Sequence, residues 1–183
     1  MKVIEQLLAN AAISPIAGVD EAGRGACAGP LVIASVVLND PFAPELAVVR
    51  DSKEIAENKR DAVFELIHQV AASVSVVIVP ASEVDSRGVH AANLDGMRRA
   101  VQGLTVEPAY VLTDGYAIEG LGLPNLAVWK GDQVVVSISA ASVIAKVTRD
   151  RIMREMDCEF PQYGFAGHKG YITAAHTKAL NEH

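Results

Sequence analysis

The chain has 183 residues, half of them apolar, which is enough for one hydrophobic core and too apolar for a disordered polypeptide. Its 16 basic and 22 acidic residues give a net charge of −6, a poor balance for a simple polybasic nucleic-acid binder. Cys27 and Cys158 lie far apart without CxxC spacing, which excludes a disulfide framework and a cysteine zinc site.

In chain order, MKVIEQLLANAA lacks the charged-then-apolar pattern and cleavage site of a secretory signal. Ile16 to Asp20 and Leu31 to Leu38 are apolar, partly β-branched runs joined by the glycine-rich EAGRGACAG, and they predict two strands of a meander. From about Ala56 the spacing of Val63, Leu66, Ile67 and Val70 predicts an amphipathic helix, followed by a buried strand over Val74 to Val79 that Pro80 stops. Ser82 opens a short turn or helix. Leu94, Met97, Val101 and Leu104 mark another helix ending near Gly103, and short strands follow at Tyr110 to Thr113 and Leu126 to Trp129.

Ile138 to Val147 is interrupted only by Ser139, Ser142 and Lys146, so its helix must be buried on nearly every side, close to the sheet. The same helix turns polar from Thr148 to Glu159. Pro161, Gly164 and Gly167 then break the chain before a final helix at about Thr173 to Asn181. This order predicts an α/β fold with a central mixed sheet flanked by helices. One domain over 1–183 is expected, with a small helical C-terminal segment from about 155. No apolar run reaches the roughly 18 residues of a membrane span, so a cytoplasmic chain with no membrane contact is the expectation; a monomer is expected as well.

The acidity is uneven: residues 1–141 hold 10 Lys and Arg against 17 Asp and Glu, and 142–183 hold 6 against 5. A metal-binding carboxylate cluster in an acidic body has this distribution, and so does a merely solvated acidic surface. Three acidic signals share a setting: Asp20 with Glu21, Asp114 in LTDGY, and Asp132 in KGDQ. Each is expected at or just beyond the end of an apolar strand, next to glycine or a turn. Singly, an Asp before Gly is a turn residue. Four carboxylates in parallel positions can converge at one sheet edge, and with no His or Cys among them they suit Mg²⁺ or Mn²⁺. Beside them, Gly23 and Gly25 flank Arg24, so backbone can approach a phosphodiester with a guanidinium held alongside.

With these residues in view, the chain resembles the type 2 ribonucleases H, ribonuclease HII. DEAGRG, DSK at 51–53, DG at 114 and 115, GD at 131 and 132, SISAASVIAKVTRD at 137–150 and YGFAGHKGY at 163–171 stand in that family's order, over about residues 16–176. The resemblance implies a ribonuclease H-like fold and cutting of RNA in RNA–DNA hybrids or at ribonucleotides embedded in duplex DNA. It implies catalytic, metal-binding roles for Asp20, Glu21, Asp114 and Asp132, and substrate contacts by Gly23, Arg24, Gly25, the phosphate-contacting Lys53 and a junction-sensing Tyr163. Two cations roughly 4 Å apart would serve an in-line displacement, with Asp20 the candidate bridge. Ala26 and Cys27 depart from the family's more usual Pro and bulky aliphatic residue. Two rivals stand beside this reading: a DNA-cutting nuclease of the same superfold, resembling junction resolvases, and a non-catalytic hybrid-binding module.

Neighbouring residues carry more modest expectations. Lys146 is balanced between a structural salt bridge and a substrate contact, and Arg149 with Asp150 reads as a local ion pair. His168, His176 and His183 are expected at the surface and Trp129 in the core. Cys27 reads as a small apolar residue with no histidine to activate it.

Overall fold

The computed structural model describes residues 3–49 and 55–183. Leu31–Leu38 (β2) is buried at every position, as an inner strand covered on both faces must be. Its side chains alternate between two layers: Val32, Ala34, Val36 and Leu38 face one core cluster, and Leu31, Ile33 and Val37 face another. On either side of β2 lie Ile16–Ala22 (β1) and Ala71–Val79 (β3), both antiparallel to it. Tyr110–Asp114 (β4) pairs parallel with β1, and Asn125–Val128 (β5) parallel with β4, so the sheet runs β3-β2-β1-β4-β5. The expected meander and mixed sheet are both present.

One face of the sheet carries Glu57–Val70 (α2) and Val136–Glu159 (α6), which meet β2 through Val63, Ile67, Ala140, Val143 and Ile144. The other carries Val89–Gln102 (α4), preceded by Ala81–Arg87 (α3), with Ala92, Met97 and Ala100 against Ile33 and Val79. Small residues set the spacing, as the run of Ala and Ser in α6 predicts. A Cβ at Gly18 of β1 would stand 2.1 Å from the Ser137 carbonyl carbon, so only glycine lets the start of α6 lie on that strand.

The strands differ from expectation at their ends. Pairing of Glu21 with Ile33 and Ala22 with Val32 carries β1 past Asp20, so Asp20 and Glu21 lie inside the strand. β3 begins at Ala71 because Ala71 already pairs with Leu38. Val3–Asn10 (α1) has no counterpart in the sequence reading. Its Ile4 and Leu8 pack on Leu112, Val128 and Ile138. Its buried Glu5 accepts hydrogen bonds from the Val136 and Ser137 backbone N–H groups at 3.1 and 3.0 Å and from the Ser137 hydroxyl at 2.9 Å. A carboxylate from a remote helix thus satisfies the free N–H groups at the start of α6 and complements its dipole.

After α6 come a 3-10 turn over Pro161–Tyr163, the short helix Phe165–His168 (α7) and Ala174–Glu182 (α8), whose start Thr173 caps by accepting the His176 N–H. No helix among the described residues is long and apolar enough to cross a membrane.

Candidate active site

β1 and β4 are parallel neighbours in register at Val19 and Thr113, which puts Asp20 and Asp114 side by side at the same strand ends. The chain leaves β5 at Val128, turns through Lys130 in the left-handed region (φ 52°), and enters the four-residue helix Gly131–Val134 (α5), which carries Asp132. The Gly131 N–H donates to Asp114 Oδ1 at 2.7 Å, and the Ser139 hydroxyl donates to the Asp132 carbonyl. Three segments far apart in sequence thereby deliver oxygens of Asp20, Asp114 and Asp132 that lie within 4.8 Å of one another. Glu21, next to Asp20, alternates to the other side of its strand; it borders this trio without joining it.

Asp20 is 5% exposed. Burial first, then the charges of Glu21 and Asp114, push its carboxyl well above the usual aspartate range, against hydrogen bonds from the Ser142 side chain and the Glu21 N–H that favour the anion. Desolvation is thus a larger cause than repulsion between the carboxylates. An all-oxygen set of three carboxylates, with Asp20 held toward its neutral form by burial, is matched to hard divalent cations, which supply the positive charge that the protein alone lacks there.

The loop after β1 is shaped by Arg149 of α6, which is 1% exposed. Its guanidinium donates to the carbonyls of Pro30 at 2.8 Å, Lys169 at 2.7 Å and Ala28 at 2.9 Å. The expected ion pair with Asp150 is therefore replaced by a clamp on two loops. Asp150 instead receives Lys146 at 2.5 Å and Arg60 at 3.9 Å. Gly23, at φ +104°, runs so close to this clamp that a Cβ would meet Arg149 Nε at 2.2 Å. Gly25 differs, since a Cβ there would find only Tyr171 Cε1 at 3.9 Å. Arg24 donates to the Tyr116 hydroxyl at 2.5 Å, which holds its guanidinium at the mouth of the site.

These residues line a hollow of about 400 Å³ that takes in Asp20, Glu21, Gly23, Arg24, Gly25, Asp114, Ser142, Lys146 and Tyr171. Lys146 makes the salt bridge, with Asp150, and also lines this hollow; burial lowers its pKa and Asp150 opposes that. Lys53 lies outside the described residues.

Tyr163 stands elsewhere than the sequence reading expects. It lines no part of this hollow; its ring stacks on Phe165 at 5.5 Å, and its carbonyl meets His168 Nε2 at 2.8 Å. The tyrosine beside the glycine loop is Tyr171, joined to it by an isolated β-bridge to Ala26. Both tyrosines belong to YGFAGHKGY, and nothing local in that run tells them apart.

Two further expectations are corrected, for His176 and Trp129, and that for Cys27 holds for a different reason. His176 is buried: its Nδ1 lies 3.0 Å from the Tyr171 carbonyl, and its ring stacks on His168 at 4.1 Å, so it props Tyr171 from behind. Cys27 does have a histidine neighbour, with its Sγ 3.6 Å from the same Nδ1. That nitrogen must carry a proton to bond the carbonyl, so it is not a base for the thiol. Trp129 is not core; it is 81% exposed, because the turn at Lys130 swings it out of β5.

With this geometry established, comparison with known proteins is informative. A family model described as Ribonuclease HII matches residues 17–183. A ribonuclease HII of Acidothermus cellulolyticus is 56% identical over 179 residues, which cover 98% of this chain and 58% of that relative. One from Mycolicibacterium smegmatis is 53% identical over 183 residues, covering 100% of this chain and 67% of the relative. The chain therefore spans a little over half the length of the first of these and two thirds of the second. Among solved structures, the ribonuclease H2 of Pyrococcus horikoshii OT3 matches with a TM-score of 0.79 at 29% identity, over 91% of this chain and 85% of that one. A PCNA:RNase HII complex from Archaeoglobus fulgidus contains a chain that matches with a TM-score of 0.81 at 27% identity, over 92% and 88%.

Proposed function

The chain belongs to the ribonuclease HII family, and from that premise we propose that it is a metal-dependent endonuclease for the RNA strand of RNA–DNA hybrids. It also cuts on the 5′ side of ribonucleotides embedded in duplex DNA, leaving a 3′-OH and a 5′-phosphate. The observation that carries this reading is the trio Asp20, Asp114 and Asp132, with oxygens within 4.8 Å of one another beside the Gly23–Gly25 loop. These three, with Glu21 on the border, would hold two ions of Mg²⁺ or Mn²⁺. When bound, such ions activate water and stabilise the leaving 3′ oxygen of an in-line displacement.

The protein's own groups prepare that chemistry. The Glu21 N–H and the Ser142 side chain fix Asp20, and the Gly131 N–H fixes Asp114, so both carboxylates are oriented before any ligand arrives. Gly25 has room for a Cβ as far as the protein is concerned, so its bare backbone serves the approach of a nucleic-acid strand. There its N–H and C=O can read a ribose 2′-OH, which DNA does not offer. Tyr171, set against Gly25, is the tyrosine placed to pack on the neighbouring deoxyribose; this role passes to it from Tyr163. Arg24 and Lys146 supply local positive charge for the phosphates in a chain of net charge −6. All of these groups come from one chain, so a monomer suffices.

A labelled DNA duplex with one internal ribonucleotide tests the reading. Cleavage 5′ of that ribonucleotide, dependent on Mg²⁺ or Mn²⁺ and absent from the all-DNA duplex, is the expected result. Equal cutting of the all-DNA duplex would favour the resolvase-like alternative, and binding without cutting the hybrid-binding one.

A further inference from the structure

Trp129, which the mechanism above leaves unused, stands 81% exposed three residues from Asp132. An indole held in water forgoes a large burial gain, so its place on the surface calls for an occupant. The turn that carries it is pinned on both sides to the catalytic strand: the Gly115 N–H donates to the Val128 carbonyl at 3.0 Å, and the Gly131 N–H to Asp114 at 2.7 Å. Trp129 is thus fixed relative to the carboxylates rather than carried on a free loop. With Glu21, Arg24, Asp114, Lys130 and Asp132 it lines a second hollow, of about 490 Å³. The two hollows share Glu21, Arg24 and Asp114, so they form one trough with Tyr171 on one side and Trp129 on the other.

We propose that Trp129 is a substrate-positioning contact for the nucleic acid, its ring packing on a sugar of the bound duplex on the α5 side of the carboxylates. The proposal rests on the nuclease reading above. Three features favour nucleic acid over a protein partner. The exposed Lys130 adjoins the ring and suits a phosphate, Arg24 lines the same hollow, and the hollow runs directly into the carboxylates where the scissile phosphate must lie. An aromatic face reads no sequence, which suits an enzyme whose substrates differ in sequence. The shallow minor groove of a hybrid presents sugars that such a ring can reach.

Trp129 is the only tryptophan in the chain, so its emission reports on this site alone. The wild-type protein is titrated in EDTA with a labelled RNA–DNA hybrid while anisotropy of the label reports binding independently. Tryptophan emission should change and saturate at the same hybrid concentration as the anisotropy. In steady-state cleavage with Mg²⁺, Trp129→Ala should raise KM about tenfold with kcat altered less than twofold, and Trp129→Phe should recover most of the loss. Because the ring is exposed, both variants should melt with the wild type. Unchanged emission at anisotropy saturation, or an unchanged KM in Trp129→Ala, would overturn the proposal. So would an emission change that follows protein concentration without hybrid, which assigns the ring to a protein interface. A wild-type protein that neither binds nor cuts the hybrid overturns the nuclease reading itself, and this contact with it.

Discussion

Asp20 carries the sharpest consequence at the scale of single residues. Burial, then Glu21 and Asp114, raise its pKa in the folded state above that of the unfolded chain. The native protein therefore holds the Asp20 proton more tightly, and stability associated with that proton is full below about pH 4 and lost as pH rises through the folded pKa. Without divalent metal, Asp20→Asn should then melt higher than wild type near neutral pH, and the gap should close toward about pH 4. Thermal melts in EDTA across that range check it; a variant that melts lower at neutral pH would show that the Asp20 charge is stabilising instead.

The two glycines around Arg24 should separate by effect. Gly23→Ala drives a methyl into Arg149 and should destabilise the fold by about 2 kcal/mol or more, while Gly25→Ala should fold normally and cut poorly. Denaturant melts set beside cleavage rates distinguish them, and equal loss of stability in both would contradict the account of Gly25. Tyr171→Ala should slow cutting at a single embedded ribonucleotide by at least about tenfold, and Tyr163→Ala much less. The reverse ranking would return the sugar contact to Tyr163. Asp114 and Asp132 are legible in the sequence because each stands beside a glycine at a turn, and Asp20 because it closes an apolar run, although pairing carries the strand past it. Tyr171, Trp129 and His176 are not, because their burial is decided by contacts with Ala26, the Lys130 turn and the Tyr171 carbonyl.

Among elements, α6 does the most to position the site. Its first half lies on β1 through Gly18, Ser142 holds Asp20, and Arg149 one turn past Lys146 clamps both loops that border the hollow. Lysine at position 149 has one compact ammonium for three carbonyls arranged around a planar fork, so Arg149→Lys leaves buried carbonyls unpaired. Its expected cost is about 2–4 kcal/mol in urea unfolding, with loss of cleavage as the glycine loop shifts. Wild-type stability in that variant would mean the clamp is dispensable. Long elements were legible because their periodicity is long: α2, α4 and α6 follow from apolar spacing, and the Ala and Ser run of α6 from its lack of a polar face. α1 and α5 were not, since one is eight residues and the other four. What gives α1 its purpose is Glu5 bonding to Val136 and Ser137, a contact across more than a hundred residues that no local window contains.

At the scale of the whole molecule, the meander, the parallel β4 and β5 and the helices on both faces serve to bring Asp20, Asp114 and Asp132 to one place. Order and spacing of the short motifs make this convergence legible, although the mutual distances belong to the fold alone. The net charge of −6 then has a physical meaning. The protein offers few cations to a polyanion, and the carboxylates must be neutralised before phosphate can approach them. The nuclease reading therefore predicts that divalent metal draws the scissile phosphate against the carboxylates as well as serving the chemistry, while contacts away from them, Trp129 among them, hold the duplex without it.

The most direct measurement is the metal dependence and end chemistry of hybrid cleavage by the purified chain. An end-labelled RNA–DNA hybrid is incubated with Mg²⁺, with Mn²⁺ and with EDTA, and the product ends are read by mass spectrometry. The account predicts cleavage only with divalent metal, products with 3′-OH and 5′-phosphate ends, and no cleavage by Asp20→Asn or Asp114→Asn prepared free of host nuclease. Cleavage in EDTA, 2′,3′-cyclic phosphate ends, or wild-type rates in either variant would contradict it.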